Sequence, residues 1–124
     1  MLYESLTGKI IGCMYKVHGV LGCGLVEQPY HKALFLELQK QSFKVDYEYP
    51  FIIEYDGERV GEYFADLVVE DKIIIEVKAV SVLTKEHYAQ ILNYLHLSHC
   101  KIGFLVNFRK ASLEYKRFIL SEKY

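Results

Sequence analysis

The sequence predicts an α/β fold in which a mixed β-sheet of four to five strands is flanked by helices. Two observations carry this prediction. Apolar residues recur every three to four positions near the amino end and again over residues 85–98, which is typical of amphipathic helices. From Phe43 onward they alternate with polar residues, which is typical of half-buried strands. The predicted order is α-α-β-β-β-α-β-β, within one domain spanning residues 1–124.

Two amphipathic helices open the chain. The first is predicted over residues 4–20, and the glycines within residues 19–24 end it. The second is predicted over residues 26–41, with Tyr30, Leu34 and Leu38 on one stripe.

Strands follow, joined by short turns. In the first, Phe43, Val45, Tyr47 and Tyr49 alternate with charged residues, and the apolar pattern continues beyond Pro50 to residue 55. The turn signals "DGER" (56–59) and "EDK" (70–72) then separate further segments. The predicted strands are 60–69, 73–80, 101–108 and 114–120, and a crossover helix is predicted over 85–98.

Composition narrows the class of protein. A hydrophobic fraction of 52% and a charged fraction of 25% indicate a globular chain. No apolar run reaches the roughly 18–20 residues that span a bilayer, so no membrane partner is expected. Three cysteines without a CxxC pair, and an amino end unlike a secretory signal, predict a cytoplasmic protein.

Charge is distributed unevenly along the chain. Residues 1–71 hold 6 Lys/Arg and 12 Asp/Glu, a balance of −6, whereas residues 72–124 hold 9 and 4, a balance of +5. The basic half would suit a polyanion and the acidic half a metal. The alternative is that these charges are simply spread over a solvated surface.

The stretch "DLVVEDKIIIEVKA" (66–79) combines a hydrophobic hairpin with three charged residues. If "EDK" is the turn, Asp66 faces Glu76 across the hairpin, whereas a two-residue turn would shift the register by one and point Asp66 to the wrong face. Glu76 and Lys78 are two apart and therefore share a face.

Two carboxylates directly opposite each other repel, so a cation between them would explain the pair. Mg²⁺, with Mn²⁺ as a substitute, takes such oxygen ligands. Lys78 would then orient or deprotonate a metal-bound water, or neutralise charge on a phosphate. The alternative is a salt bridge from Lys78 to Asp66 or Glu76 at a partly exposed sheet edge.

These residues resemble the signature of the PD-(D/E)XK nuclease superfamily, although Ala65 stands where proline is usual. "GLVEQPY" (24–30) resembles the GxxExxY pattern of a small family within it, and "QILNY" (90–94) resembles the QxxxY motif of RecB-like members. "NF" (107–108) and the basic last strand are similar to the carboxyl end of the same family. The resemblance covers nearly the whole chain and implies a restriction-endonuclease-like core.

The resemblance also implies catalytic roles. Asp66 and Glu76 would be metal ligands, together with the Val77 backbone carbonyl. Glu27 would be an additional acid and a candidate further ligand, although it would equally suit the first turn of a helix. Lys78 would be the catalytic lysine.

The remaining implied roles concern the substrate. Gln90 would support the lysine or the scissile phosphate, and Tyr94, Tyr30 and Lys85 would contact nucleic acid. A polar helix flank with a core tyrosine is the alternative for Gln90 and Tyr94. The sequence assigns no role to His31.

The predicted function is therefore metal-dependent hydrolysis of phosphodiester bonds, with DNA as the expected polymer and metal-activated water as the nucleophile. A homodimer would enlarge the substrate surface of so small a chain. The alternative is a nucleic-acid-binding or protein-interaction module with little or no turnover, which the small size and near-neutral charge favour. A different enzyme on the same fold is a third reading.

Overall fold

A computed structural model describes residues 3–120, and it has the predicted order of elements. Every predicted boundary lies within two residues of the observed one. The helices are α1 (Glu4–Leu21), α2 (Glu27–Lys40) and α3 (Lys85–Leu97), and the strands are β1 (Val45–Tyr55), β2 (Glu58–Val69), β3 (Ile73–Lys78), β4 (Ile102–Asn107) and β5 (Glu114–Ile119).

The five strands form one mixed sheet in the order β1-β2-β3-β4-β5. β1, β2 and β3 are antiparallel neighbours, and α3 crosses over to bring β4 parallel to β3. β5 then pairs antiparallel with β4. This confirms the predicted mixed pairing and makes β3 the central strand. Pro50 lies in the edge strand β1, where a missing amide donor is tolerated.

Helices cover both faces of the sheet. The apolar stripes of α1 and α2 form the larger core with Ile73, Ile75 and Val77 of β3, and the predicted stripe residues of α2 are fully buried. α3 packs on the other face through Ile91 and Leu95, whereas Leu92 is 40% exposed. None of the helices between residues 3 and 120 has the length and apolar character needed to cross a bilayer.

Along β1, the sheet face to which odd-numbered side chains point changes at Glu48, which the sequence did not predict. Tyr47 packs with the α1–α2 core, but Phe51 stacks on Tyr63 and belongs to the cluster on the α3 face. Because both residues are odd-numbered, a regular strand would place them on one face. Glu48 has a φ of +53°, and it interrupts the β1–β2 ladder at the position facing Asp66. Tyr49 is consequently exposed rather than part of the Phe43–Tyr47 row.

α3 is held in place at its start and along its buried side. The Thr84 hydroxyl accepts the His87 amide, and the His87 ring accepts the Thr84 amide, which fixes the first turn. Further along, α3 lies against Gly103 of β4. A Cβ at this glycine would lie 3.0 Å from the Ile91 Cδ1 atom and 3.3 Å from the Leu95 Cδ1 atom.

Replacing Gly103 with valine should therefore push α3 away from the sheet. We expect Gly103→Val to lower the free energy of unfolding by about 1–3 kcal/mol, because overpacking forces neighbouring side chains and backbone to shift. Chemical denaturation would measure this. Gly12→Ala is the matched control, because nothing lies within 4 Å of the added Cβ and alanine favours a helix interior. Equal stability of Gly103→Val and the native chain would contradict the close approach.

Candidate active site

The β2–β3 hairpin has the register on which the sequence prediction depends. Val69 pairs with Ile73 and Leu67 with Ile75, so the loop has three residues, 70–72. The next facing positions are Asp66 and Glu76. The predicted juxtaposition of the two acids is therefore confirmed, and so is the burial of Ile73, Ile75 and Val77 on the opposite face.

At Asp66 and Glu76, side chains replace main-chain carbonyls as hydrogen-bond acceptors. The Asp66 amide donates to Glu76 Oε2 at 2.8 Å, and the Val77 amide donates to Asp66 Oδ2 at 2.7 Å. Each carboxylate is thus held by one oxygen. The other oxygens, Asp66 Oδ1 and Glu76 Oε1, have no hydrogen bond to any residue in 3–120 and are left to receive a further ligand.

Both acids are hard to ionise in the absence of a cation. Burial raises the pKa of Glu76 to about 8, and the Asp66 carboxylate adds to this increase, while the Asp66 amide and Lys78 oppose it. Burial likewise raises the pKa of Asp66, against the effect of its hydrogen bond from Val77. A buried acid pair with raised pKa values is typical of functional sites.

Lys78 lies at the end of β3, and its side chain is half-buried. Among residues 3–120, no carboxylate oxygen lies within 4.0 Å of Lys78 Nζ, although its charge lowers the pKa of both Asp66 and Glu76. The salt bridge considered as the alternative reading is therefore not formed. The ammonium group is near the acids and has donors to offer a substrate.

The direction of the Val77 backbone carbonyl follows from the hydrogen bonds of its neighbours in β3. The Phe108 amide donates to the Lys78 carbonyl at 2.9 Å, so Lys78 bonds to β4. Adjacent residues of a strand direct their main-chain groups to opposite neighbours, and the Val77 amide bonds to Asp66 on the β2 side. The carbonyl of Val77 is therefore directed to the same side as Asp66.

Glu27 and Tyr30, the two residues of the GxxExxY pattern that lie in α2, have different surroundings in the structure. Glu27, the first residue of α2, is exposed and close enough to Asp66 and Glu76 to raise both of their pKa values. Residues 3–120 contain no group of three or more His, Cys, Asp or Glu side chains placed to hold a metal, so the role of Glu27 as a further ligand stays a prediction.

The predicted contact of Tyr30 with nucleic acid is not supported by its position. Tyr30 is fully buried and stacks on Phe108 with ring centroids 4.6 Å apart. Its hydroxyl donates to the Gly22 carbonyl at 2.6 Å and accepts the Leu25 amide at 3.1 Å. Its ring fills the core on the buried stripe of α2, and its hydroxyl fixes the loop that precedes Glu27.

α3 places the remaining predicted residues on the other side of the acids. Tyr94 is partly buried, stacks on Tyr63 at 3.7 Å, and has a pKa raised by burial and by Glu76 and Asp66. Gln90 is exposed one turn earlier and interacts with the Tyr94 side chain. Lys85 is exposed at the first position of the helix. Tyr94 therefore lies near the acid pair with Gln90 beside it, and Lys85 lies at the surface.

Two buried residues that sequence reasoning did not assign support the site. His31 Nε2 donates to the Asp66 carbonyl at 2.8 Å, and its ring stacks on Tyr47 at 4.2 Å. Its spacing from Glu27, one helical turn, was the available signal. Asn107 is fully buried, accepts the Val80 amide and donates to the Val80 carbonyl, so it holds the segment just after Lys78.

A cavity of about 520 Å³ lies at the amino end of α2. Its walls are residues 23–27, Ala79 and Arg109. Of these, Glu27 is close enough to Asp66 and Glu76 to raise the pKa of both acids, and Ala79 follows Lys78 on the chain, so the cavity lies near the acid pair.

Comparison with known proteins gives the family. The sequence model of the PD-(D/E)XK nuclease superfamily matches residues 4–118. The chain belongs to this superfamily. The order of its elements and its mixed five-stranded sheet agree with the restriction-endonuclease-like fold. No curated protein sequence matches the chain.

A solved structure, "Crystal structure of SSO0001", is similar in fold, with a TM-score of 0.59 and 23% identity. The match covers 95% of this chain but only 60% of that one, so the superfamily domain described here spans about 60% of that protein's length. At this identity the likeness concerns the fold alone.

PD-(D/E)XK nucleases typically use divalent metals, and the donors present fit such an ion. Two carboxylate oxygens without hydrogen bonds and one main-chain carbonyl are hard oxygen donors, which Mg²⁺ accepts while retaining several waters. A bound cation would also favour the charged forms of two acids that are otherwise costly to ionise. Asp66, Glu76 and the Val77 carbonyl are the groups that would hold it.

The metal-free protein should lose stability as pH rises, because Glu76 binds its proton more tightly in the folded state than at its ordinary pKa of 4.5. The contribution of Glu76 to stability is fully present below pH 4.5 and is lost as pH rises through about 8. In EDTA, we expect the free energy of unfolding of the native chain to fall by roughly 1–3 kcal/mol over this range, and we expect Glu76→Gln to abolish this fall. Urea denaturation of both proteins across pH would measure the difference, and parallel pH profiles would contradict the raised pKa.

His31→Phe should weaken the support of Asp66. Phenylalanine can retain the stacking on Tyr47 but leaves the Asp66 carbonyl without its donor, which costs about 1–3 kcal/mol for a buried group. The free energy of unfolding would be measured by urea denaturation. His31→Gln, which keeps an N–H donor, is the control and should be less destabilised. A His31→Phe protein as stable as the native chain would show that the hydrogen bond contributes little.

Proposed function

We propose that this chain is a metal-dependent nuclease that hydrolyses phosphodiester bonds, with DNA as the expected polymer. Membership of a nuclease superfamily supports nuclease activity in general. The observation that carries the specific proposal is the pairing of Asp66 with Glu76, each held by a backbone amide. Among residues 3–120, each acid has one oxygen that accepts no hydrogen bond, and the nearby Lys78 ammonium group has no ion-pair partner.

The residues would divide the reaction between them. Asp66, Glu76 and the Val77 carbonyl would hold the cation, which supplies an activated water and stabilises charge on the phosphate oxygens. Their hydrogen bonds keep both carboxylates in position before any ligand arrives, so little reorganisation is needed on binding. Burial excludes competing water from one side of the site.

Lys78 would act directly on the reacting groups. Its side chain shares the sheet face of Glu76 and ends near both acids, so Nζ can donate to the attacking water or to a non-bridging phosphate oxygen. Gln90 would support the lysine or the scissile phosphate from α3, and Tyr94 would line the path of the strand. Glu27 would influence the site as a nearby charge, and its role as a further metal ligand remains a prediction.

Finer assignments follow from sequence resemblance. The GxxExxY pattern at residues 24–30 supports placing the chain in that group of the superfamily, with Mg²⁺ as the ion and Mn²⁺ as a substitute. Lys85, exposed on α3, remains a predicted contact for the nucleic acid. A single domain, a homodimer and a cytoplasmic location also remain predictions.

Substitutions at the site should abolish cleavage. Asp66→Asn, Glu76→Gln and Lys78→Met should each reduce cleavage of DNA by at least about 100-fold, since each removes a group that acts on the reacting atoms. Gel assays of labelled single-stranded and duplex DNA and of RNA, with Mg²⁺ or Mn²⁺, would measure this. Lys116→Met, an exposed lysine of β5, is the charge-matched control and should retain activity.

Thermal denaturation with Mn²⁺ separates binding of the ion from chemistry. Mn²⁺ should raise the melting temperature of the native chain and of Lys78→Met, but much less that of Asp66→Asn and Glu76→Gln. Cleavage that survives all three substitutions would contradict the assignment of the site. Binding of nucleic acid without cleavage of any substrate would instead favour a binding module.

A further inference from the structure

Arg109 is a cation at the edge of the site with no role in the proposed chemistry. It is exposed and lines the cavity together with Glu27 and Ala79. Among residues 3–120, no carboxylate oxygen lies within 4.0 Å of its guanidinium group, even though Glu27 borders the same cavity. Its five N–H donors are therefore available to an anion.

The next residue provides a contrast. Lys110 Nζ lies 3.4 Å from Glu114 Oε2, so its charge is partly used within the protein. Of these two neighbouring basic residues, the one that pairs with no carboxylate among residues 3–120 is the one that lines the cavity.

The backbone that carries Arg109 is fixed to the catalytic strand. The Arg109 amide donates to Asn107 Oδ1 at 3.3 Å, and the same oxygen accepts the Val80 amide. The intervening Phe108 donates its amide to the Lys78 carbonyl. On the outer side, His18 Nε2 donates to the Lys110 carbonyl at 2.8 Å. Arg109 is thus held at a set position relative to Lys78, as a substrate-binding residue requires.

The cavity itself suits one unit of a nucleic-acid strand. Leu25 and Val26 are 41% and 73% exposed and give one wall an apolar surface for a sugar or base. Glu27 alone would make the cavity repel phosphate, and the nearby Arg109 offsets that charge. An arginine also matches the geometry of a phosphate with paired N–H donors.

We infer that Arg109 binds the phosphodiester group next to the scissile one, with the adjoining nucleotide in the cavity formed by residues 23–27, Ala79 and Arg109. This inference rests on the proposed nuclease function for the location of the scissile phosphate at Asp66, Glu76 and Lys78. It assigns the cavity to the substrate strand and makes Arg109 a residue that positions it.

Equilibrium binding tests whether the charge of Arg109 contributes to the affinity for nucleic acid. A fluorescein-labelled DNA oligonucleotide, single-stranded or duplex, would be titrated in EDTA so that no strand is cut, with fluorescence anisotropy as the readout. We expect Arg109→Ala to weaken binding by about 3- to 10-fold and to reduce the slope of log K against log salt by roughly 0.7–0.9, the value for one phosphate contact. Arg109→Lys should restore part of both, and Lys110→Ala, the matched control, should change them less.

Protection of a cysteine from alkylation tests whether the nucleotide lies in the cavity. Cys23 lies in the cavity wall and is exposed, whereas Cys13 and Cys100 are buried. Saturating DNA should slow alkylation of Cys23 by iodoacetamide, measured by mass spectrometry, in the native chain. A rate for Cys23 that DNA leaves unchanged would overturn the placement of a nucleotide in the cavity.

The outcomes separate this inference from the nuclease proposal. Identical affinity and salt slope in Arg109→Ala and the native chain would overturn the role of Arg109, even if cleavage is normal. Arg109-dependent binding with Cys23 protection, but without cleavage under any metal, would support the substrate cavity and contradict the nuclease proposal alone. Failure of the native chain to bind either DNA form or the corresponding RNA would overturn the inference.

Discussion

The structure depends on two hydrogen bonds in which carboxylates take the place of main-chain carbonyls. Where β2 and β3 reach the end of their ladder, the Asp66 amide bonds to Glu76 and the Val77 amide bonds to Asp66. These bonds satisfy buried amides and hold two like charges close together. The cost is visible in the raised pKa values of both acids, and a bound cation would offset it.

The core makes this arrangement rigid. β3 is the central strand, and its residues from Ile73 to Val77 are buried between helices on both faces. Asn107 then joins the chain after β3 to the chain after β4, with four hydrogen bonds from one buried amide side chain. The acids and Lys78 are therefore presented by a packed strand rather than by a loop, which keeps their geometry fixed.

α2 connects the core, the acids and the cavity within little more than one turn. Tyr30 points into the core and stacks on Phe108, His31 supports the Asp66 carbonyl, and Glu27 borders the cavity. Residues at these spacings project at different angles around a helix, so one short motif can serve three surroundings. This explains why a motif resembling a set of functional residues contains a tyrosine whose task is structural.

The sequence by itself determined the order of elements, and it favoured a three-residue turn at 70–72 that sets Asp66 opposite Glu76, which the strand register then confirmed. These features depend on periodicity and on turn length, which are local properties of the chain. Only the tertiary structure decided that Tyr30 is buried, that His31 supports Asp66 and that Arg109 borders the cavity. The reversal at Glu48 also escaped prediction, because an unusual φ leaves little trace in residue type. His31 and Asp66 are 35 residues apart, and Val80 and Asn107 are 27 apart; such contacts arise when packed elements bring distant residues together, which no local pattern encodes.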